Sequence, residues 1–186
     1  MLALVKSSLA PGFLIATPQL LDTNFERAVV LMIEHTDKGS MGLVINRTAP
    51  LTFRDLARSQ ELKVANIRRD EALFHGGPVE PYRGFVLHDS MLIEERNEVS
   101  PGLFLSVTSD ALSPLLLDES ACVRFCLGYA GWGPGQLERE VKLGSWLHTD
   151  ANPRAVLHDD PKQIWDNAIK SMGIEPGWLV PSGGVN

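Results

Sequence analysis

The stretch Gly128-Tyr129-Ala130-Gly131-Trp132-Gly133-Pro134-Gly135-Gln136-Leu137-Glu138-Arg139-Glu140 decides the fold of this chain. It follows an apolar run, residues 121–127, that predicts a buried strand, and it precedes a segment with helical spacing. Its four glycines stand at every second or third position, where they permit backbone conformations and close approaches that a Cβ forbids. Pro134 predicts a helix that begins at that residue, because its missing N–H costs little there. Gly144 predicts a left-handed cap at the end of that helix. We therefore expect a rigid strand-to-helix corner.

Length, composition and charge indicate one soluble globular domain. The chain has 186 residues, of which 44% are hydrophobic and 22% charged, and its net charge is −6. We expect a single domain over residues 1–186, with mobile ends at residues 1–10 and 181–186. The negative charge opposes non-specific contact with nucleic acid or an anionic membrane, so neither is an expected partner.

The cysteines predict a reducing compartment. If Cys122 and Cys126 lie on one strand, they share a face but are about 13 Å apart, which is too far for a disulfide; on a helix they would be neighbours. No second cysteine–histidine motif is present, and the histidines show no ligand spacing: His35, His75, His88, His148 and His158. We therefore expect buried, reduced cysteines and no metal. Because the first residues show no targeting signature, we expect a cytoplasmic protein.

The rest of the chain predicts strands and helices in turn. Strands are expected at residues 12–17, 27–35, 42–46, 84–88, 102–108 and 121–129, with short strand-like pieces at 145–149 and 155–158. The run 27–35 is apolar on both faces and predicts a central strand. Helices are expected after Thr52, at 110–117, after Pro134, and after Asp160. Residues 63–71 predict a surface loop.

Known signatures of cofactor and nucleophile sites are absent from the sequence. There is no phosphate loop, and Gln136 occupies the place of the last glycine in a dinucleotide fingerprint. There is no G-x-S-x-G elbow. His75-Gly76-Gly77 faintly resembles an oxyanion loop, but without a nucleophile the glycines are more typical of a turn. We predict no cofactor.

Several blocks of the sequence resemble the AlgH/YqgE family of bacterial proteins. They are G-F-L-I-A-T-P (12–18), F-E-R-A-V-V (25–30), G-L-V-I-N-R (42–47), G-G-P-V (76–79), R-G-F-V-L-H (83–88) and G-Y-A-G-W-G-P-G-Q-L-E (128–138). Trp146 and Trp165 also stand where the family has tryptophans. The tail departs from the family pattern, since many members end in Gly-His-Ala.

The resemblance implies a fold without a settled reaction. It implies an α+β fold, in which a mixed, strongly curved and partly barrel-like sheet is surrounded by helices. One family member carries the name of a transcriptional regulator of alginate production. That name describes an effect on expression, and the acidic charge of this chain argues against direct contact with DNA.

We first hypothesise a non-enzymatic regulatory module that binds a protein partner or a small ligand and affects transcription indirectly. We expect a monomer or a weak dimer, and a neutral or cationic ligand. The corner should fix Tyr129 and Trp132 on one side and present Gln136 and Glu138 on the other. Strand ends commonly form pockets, which gives these candidate site residues: Asn46, His75, Gly76, Gly77, Tyr129, Trp132, Gln136 and Glu138.

Two alternatives stay open at this point. In the first, each motif shapes the fold, with Trp132 as a core plug and Asn46 as a turn anchor. In the second, the chain is an enzyme that uses acid–base residues in a glycine-lined pocket, with Glu138 as the base and His75 or His35 nearby.

Overall fold

The computed structural model describes residues 8–179, in which ten strands form one sheet accompanied by five α-helices. The strands are β1 (Gly12–Ala16), β2 (Val29–Thr36), β3 (Gly39–Val44), β4 (Thr48–Thr52), β5 (Ala72–His75), β6 (Val79–His88), β7 (Asn97–Ser100), β8 (Leu103–Ser106), β9 (Val123–Trp132) and β10 (Trp146–Thr149). The helices are α1 (Phe53–Ser59), α2 (Ser109–Leu117), α3 (Gln136–Lys142), α4 (Pro153–His158) and α5 (Pro161–Ser171). The predicted α+β class is confirmed.

The sheet is open, and its order is β10-β1-β2-β3-β9-β6-β8-β7. Strand β5 pairs with β9 in parallel and carries β4 on its other side, so the sheet is mixed but largely antiparallel. The expectation of a strongly curved, partly barrel-like sheet is wrong. A barrel needs its two edge strands to pair, and no pairing joins β7 to β10 within residues 8–179. Instead, β3 and β5 share one edge of β9, and the sheet forks there.

Strand β2 is a central strand with both faces covered, as predicted. Val29 and Leu31 belong to a core cluster that includes α4 and α5 residues, here called the first cluster. Val30 and Met32 belong to the cluster that includes Trp132 and Trp146, here called the third cluster. A second cluster, with α1 and α2, fills the space beside β6 and the start of β9.

The segment 155–158 is helical, so its predicted strand is wrong. Asn152 caps α4 by accepting hydrogen bonds from the backbone N–H groups of Arg154 (3.0 Å) and Ala155 (3.4 Å). Pro153 occupies the first turn, where its fixed φ favours a helix. These two residues precede the predicted strand and start a helix there, so residues 155–158 are helical despite their strand-like apolar spacing.

The predicted surface loop 63–71 contains one buried charge. The Arg68 side chain is only 3% exposed, and its Nη2 donates to the backbone oxygens of Asp118 (2.8 Å) and Ala121 (2.9 Å). These bonds join the loop to the turn before β9. The strands β4 and β7 are short and were not predicted, and β6 begins five residues earlier than expected.

Most of the two predicted mobile ends lies outside the described residues. Of the first ten residues, 8–10 are described, and Leu9 and Ala10 pack against the third cluster. None of the helices within residues 8–179 combines the length and apolarity that crossing a bilayer requires.

Candidate functional site

Three glycines bring the β5–β6 turn into backbone contact with β9. Gly77 has a φ of 151°, and a Cβ there would lie 2.2 Å from the carbonyl carbon of Tyr129. A Cβ on Gly76 would lie 2.4 Å from the Gly128 oxygen, and one on Gly128 would lie 2.4 Å from the Gly77 oxygen. A Cβ does not fit at any of these positions, so these candidate glycines shape the fold at the fork of the sheet.

The helix after the corner begins later than predicted. Helix α3 starts at Gln136, with Gly135 as its N-cap at a φ of 67°. Pro134 therefore precedes the cap and does not open the helix. The left-handed Gly135 cannot belong to a right-handed helix, and the Gln136 Oε1 accepts the Gly133 N–H at 3.1 Å in the turn before it. The predicted cap at Gly144 is confirmed by its φ of 77°.

Trp132 fills the core, in agreement with the plug alternative. It is 7% exposed, stacks on Phe25 at 6.2 Å between ring centroids, and meets Trp146 edge-on at 5.9 Å. The Glu140 carboxylate joins both indoles, because its Oε2 accepts Trp132 Nε1 at 3.0 Å and Trp146 Nε1 at 2.8 Å. Its Oε1 accepts Gln136 Nε2 at 2.9 Å. Sequence reasoning missed Glu140, although its i,i+4 spacing from Gln136 was a signal.

Tyr129 and Trp132 lie on opposite faces of the sheet, so their predicted placement on one side is wrong. Three positions separate them on one strand, and side chains alternate between faces. Tyr129 packs against the first cluster, where its ring meets Phe85 edge-on at 5.8 Å. Trp132 belongs to the third cluster, with α3.

An open groove of about 440 Å³ lies between β3, β6 and β9, and we call it the β3–β6–β9 groove. Tyr129, Gly131 and Trp132 of the corner line it, together with Met41 and Val79. The other lining residues come from the β2–β3 hairpin and the start of β6: Glu34, Thr36, Lys38, Gly39, Ser40 and Arg83. The corner therefore contributes directly to a solvent-facing cavity.

The fold brings His35, rather than His75, to Glu138. His35 Nε2 lies 3.8 Å from Glu138 Oε1, and the histidine side chain is only 8% exposed. Its Nδ1 lies 2.8 Å from the Ser40 hydroxyl. His75 is exposed at the end of β5, and no hydrogen bond or ion pair between residues 8 and 179 joins it to Glu138.

Asn46 anchors the β1–β2 loop. Its Oδ1 accepts the Val29 N–H at 2.8 Å, and its Nδ2 donates to the Arg27 oxygen at 2.9 Å. The neighbouring Arg47 donates to the Glu26 oxygen at 2.7 Å. These contacts hold Arg27 at a φ of 52°, a left-handed conformation that a non-glycine residue rarely adopts. Asn46 therefore anchors a turn, as the first alternative proposed, and its side-chain amide is used within the fold.

The two cysteines occupy different environments. Cys126 is fully buried, and burial raises the pKa of its thiol to about 12. Cys122 is half-buried, and burial, followed by the Asp89 charge, raises the pKa of its thiol as well. Its Sγ lies 3.6 Å from His158 Nδ1. Asp89, Cys122 and His158 form a group whose side-chain N, O and S atoms all lie within 4.8 Å of one another.

Comparison with known proteins places these features in a family. The profile of the AlgH-like family matches residues 13–177. The chain is 57% identical over 179 residues to a UPF0301 protein of Myxococcus xanthus, which covers 96% of this chain and 99% of the relative. It is 38% identical over 186 residues to a UPF0301 protein of Paracoccus denitrificans, covering 96% and 97%.

Two solved structures are similar over most of the chain. The solution structure of the AlgH protein from Pseudomonas aeruginosa is 32% identical, covers 100% of both chains, and has a TM-score of 0.75. A crystal structure of a protein from Corynebacterium diphtheriae is 21% identical, covers 90% of each chain, and has a TM-score of 0.69. The second likeness concerns the fold alone.

Proposed function

The chain belongs to the AlgH-like family, and we propose that it is a non-enzymatic regulatory module that binds a small ligand in the β3–β6–β9 groove. A protein partner then recognises the ligand-bound form of the chain. The observation that carries this proposal is that Tyr129 and Gly131 of the corner line this groove. Among the other predicted site residues, Asn46 and the paired glycines act within the fold.

The floor of the groove offers an apolar platform. The Tyr129 ring, Val79 and Met41 line it. Gly131 keeps the platform open, because a Cβ there would lie 3.4 Å from Tyr129 Cε2 and 3.8 Å from Val79 Cγ2, in space that is now free. A volume of about 440 Å³ falls within the roughly 300–1,000 Å³ of known small-molecule sites.

The charges around the groove balance. Arg83 lies on one wall, where its Nη1 contacts Glu80 Oε2 at 2.9 Å. Lys38 and Glu34 line the opposite wall and carry opposite charges. A ligand that combines an apolar part with no net charge fits this arrangement best, because each cation of the groove lies beside an anion and neither sign of charge is left to attract a charged ligand strongly.

Indirect action on transcription fits the charge of the chain. A net charge of −6 opposes the phosphate backbone of DNA, which dominates non-specific affinity. We therefore propose that any effect on expression runs through the protein partner, in the cytoplasm, and without direct DNA contact.

Gly131→Val tests the proposal, since it fills the groove floor on a strand where a β-branched residue is well tolerated. Native mass spectrometry of untagged protein, purified gently from its own host, should show a retained small molecule on the wild type and its loss in Gly131→Val. Gly133→Val is the matched control, because Gly133 lies outside the groove and a Cβ there has no neighbour closer than 3.9 Å. A ligand retained equally by both variants, or a wild type free of ligand under all growth conditions, would contradict the proposal.

A second candidate function is acid–base catalysis, and one arrangement favours it. His35 lies between two side chains: its Nδ1 is 2.8 Å from the Ser40 hydroxyl, and its Nε2 is 3.8 Å from Glu138 Oε1. Ser40 also lines the groove. A histidine between a hydroxyl and a carboxylate is the arrangement that activates a nucleophile. A fluorophosphonate probe should then label Ser40 in the wild type but not in His35→Ala. If Ser40 stays unlabelled in the wild type, catalysis through a Ser40 nucleophile is contradicted.

A further inference from the structure

We propose that Asp89, Cys122 and His158 form a binding site for a thiophilic divalent metal ion, of which zinc is the best match. The three residues come from separate parts of the chain: the residue after β6, the residue before β9 and the last residue of α4. The site uses no residue of the β3–β6–β9 groove and is independent of the function proposed there.

The sheet register places the first two residues together. His88 pairs with Val123 in the β6–β9 ladder, so Asp89 and Cys122 are the next residues beyond its end. Asp89 Oδ1 accepts the Cys122 N–H at 2.8 Å, which fixes the orientation of the carboxylate beside the thiol. Ligating carboxylates in metal sites are commonly oriented by such a hydrogen bond.

The distance between sulfur and nitrogen matches a shared metal. A tetrahedral ion bound at about 2.3 Å to a thiolate and about 2.0–2.1 Å to an imidazole holds the two ligand atoms about 3.6 Å apart. Cys122 Sγ and His158 Nδ1 are 3.6 Å apart. The ligand atoms of all three residues lie within 4.8 Å of one another, so the Asp89 carboxylate is the third ligand near the same ion.

The ligand types select the class of metal. A thiolate, an imidazole and a carboxylate suit zinc or cobalt, whereas calcium and magnesium require oxygen ligands. On binding, the Cys122 thiol proton leaves to solvent, and the resulting thiolate and the Asp89 carboxylate neutralise the two positive charges of the ion. Three protein ligands leave a fourth position for water or another small ligand.

Solvent reaches the site. His158 is exposed, while Asp89 and Cys122 are half-buried. Cys122 also lines a cavity of about 490 Å³, together with Arg68 and Arg124. An ion can therefore enter without unfolding of the chain, and its open position is accessible to small molecules.

Titration of the untagged, chelator-treated full chain with Co²⁺ tests the proposal. We expect one ion per chain, with a sulfur-to-cobalt charge-transfer band in the near ultraviolet and visible bands as intense as those of tetrahedral sites. Added Zn²⁺ should abolish these bands. Cys122→Ser should remove the charge-transfer band, and His158→Gln or Asp89→Asn should weaken Co²⁺ affinity by about 100-fold or more, beyond the 10–100-fold typical of outer-shell losses.

Two control variants complete the experiment. Cys126→Ala removes the other thiol, and His75→Gln removes an exposed histidine elsewhere; both should keep the full cobalt spectrum. Because His158 is exposed, His158→Gln should fold, which circular dichroism verifies. A wild type without the charge-transfer band, or a band that survives in Cys122→Ser, would overturn the proposal.

Discussion

Replacement of Glu140 by alanine should destabilise the protein strongly, although Glu140 lies on a surface helix. Its carboxylate accepts both indole N–H groups of the third cluster, from Trp132 and Trp146. A hydrogen bond to a charged group contributes about 1.5–3 kcal/mol, and a buried donor left without a partner costs a similar amount. Since Glu140 is half-buried, water can partly replace it. We therefore expect Glu140→Ala to lower the free energy of unfolding by about 3 kcal/mol, which is the lower limit for the loss of two hydrogen bonds to a charged group.

Equilibrium urea unfolding, followed by far-ultraviolet circular dichroism, measures this loss without relying on the altered tryptophans. About 3 kcal/mol corresponds to a melting temperature lower by roughly 6–12 °C for a chain of this size. Glu138→Ala is the matched control, because it removes the same charge from the same helix. Its carboxylate side chain is 42% exposed and lies 3.8 Å from His35, so we expect a loss of about 0–1 kcal/mol. Equal losses in the two variants would refute the role of the indole hydrogen bonds.

Three further predictions concern single residues. Gly77→Ala should lower the free energy of unfolding by about 3 kcal/mol or more, because the new Cβ would lie 2.2 Å from the β9 backbone on a residue with a φ of 151°. Gly102→Ala is the control: Gly102 has a φ of 78° but no atom within 4 Å of the new Cβ, so the loss in thermal unfolding should be only about 1–2 kcal/mol. The Cys126 thiol, with its pKa raised to about 12 by burial, should resist iodoacetamide at mildly alkaline pH until urea unfolds the chain, and peptide mass spectrometry that finds it modified in the native state would contradict this. Hydrogen bonds from Thr52 lower the pKa of Asp55 below its ordinary 3.8, so its stabilising effect is present at neutral pH and is lost as the pH falls through the folded-state value. The unfolding curves of the wild type and Asp55→Asn should therefore differ at neutral pH and converge in acid; a constant difference would disprove the link.

The sequence predicted those elements whose signals are local. Asp160, Pro161 and Gly173 bound α5 as expected, because capping depends only on nearby backbone groups. The apolar run in β2 also predicted a strand covered on both faces. Helix α4 was mistaken for a strand because it has only 6 residues, which is too few for the spacing of apolar residues to distinguish a helix from a strand. The fork at β9 was beyond prediction, since it depends on pairing between distant segments.

The structure of the corner was predicted in part. Residue types alone predicted the glycine-rich corner, and they gave a position in the core as one of the alternatives for Trp132. The placement of Tyr129 and Trp132 on opposite faces follows from their spacing once the strand is known to continue to residue 132. Glu140 was missed because its tryptophan partners lie on other elements. The cluster around Cys122 was missed for the same reason, since its three members are joined by the sheet register and a helix end.

The position of β9 in the sheet has a consequence for synthesis of the chain on the ribosome. Strand β9 pairs with β3, β5 and β6, all of which are translated before it. The edges of these strands that face β9 stay unpaired until the corner at Gly128–Glu140 has left the exit tunnel. Unpaired edges promote association between chains. Nascent chains that stop before β9 should therefore need chaperone protection, and completion of the sheet is a late event that follows most of translation.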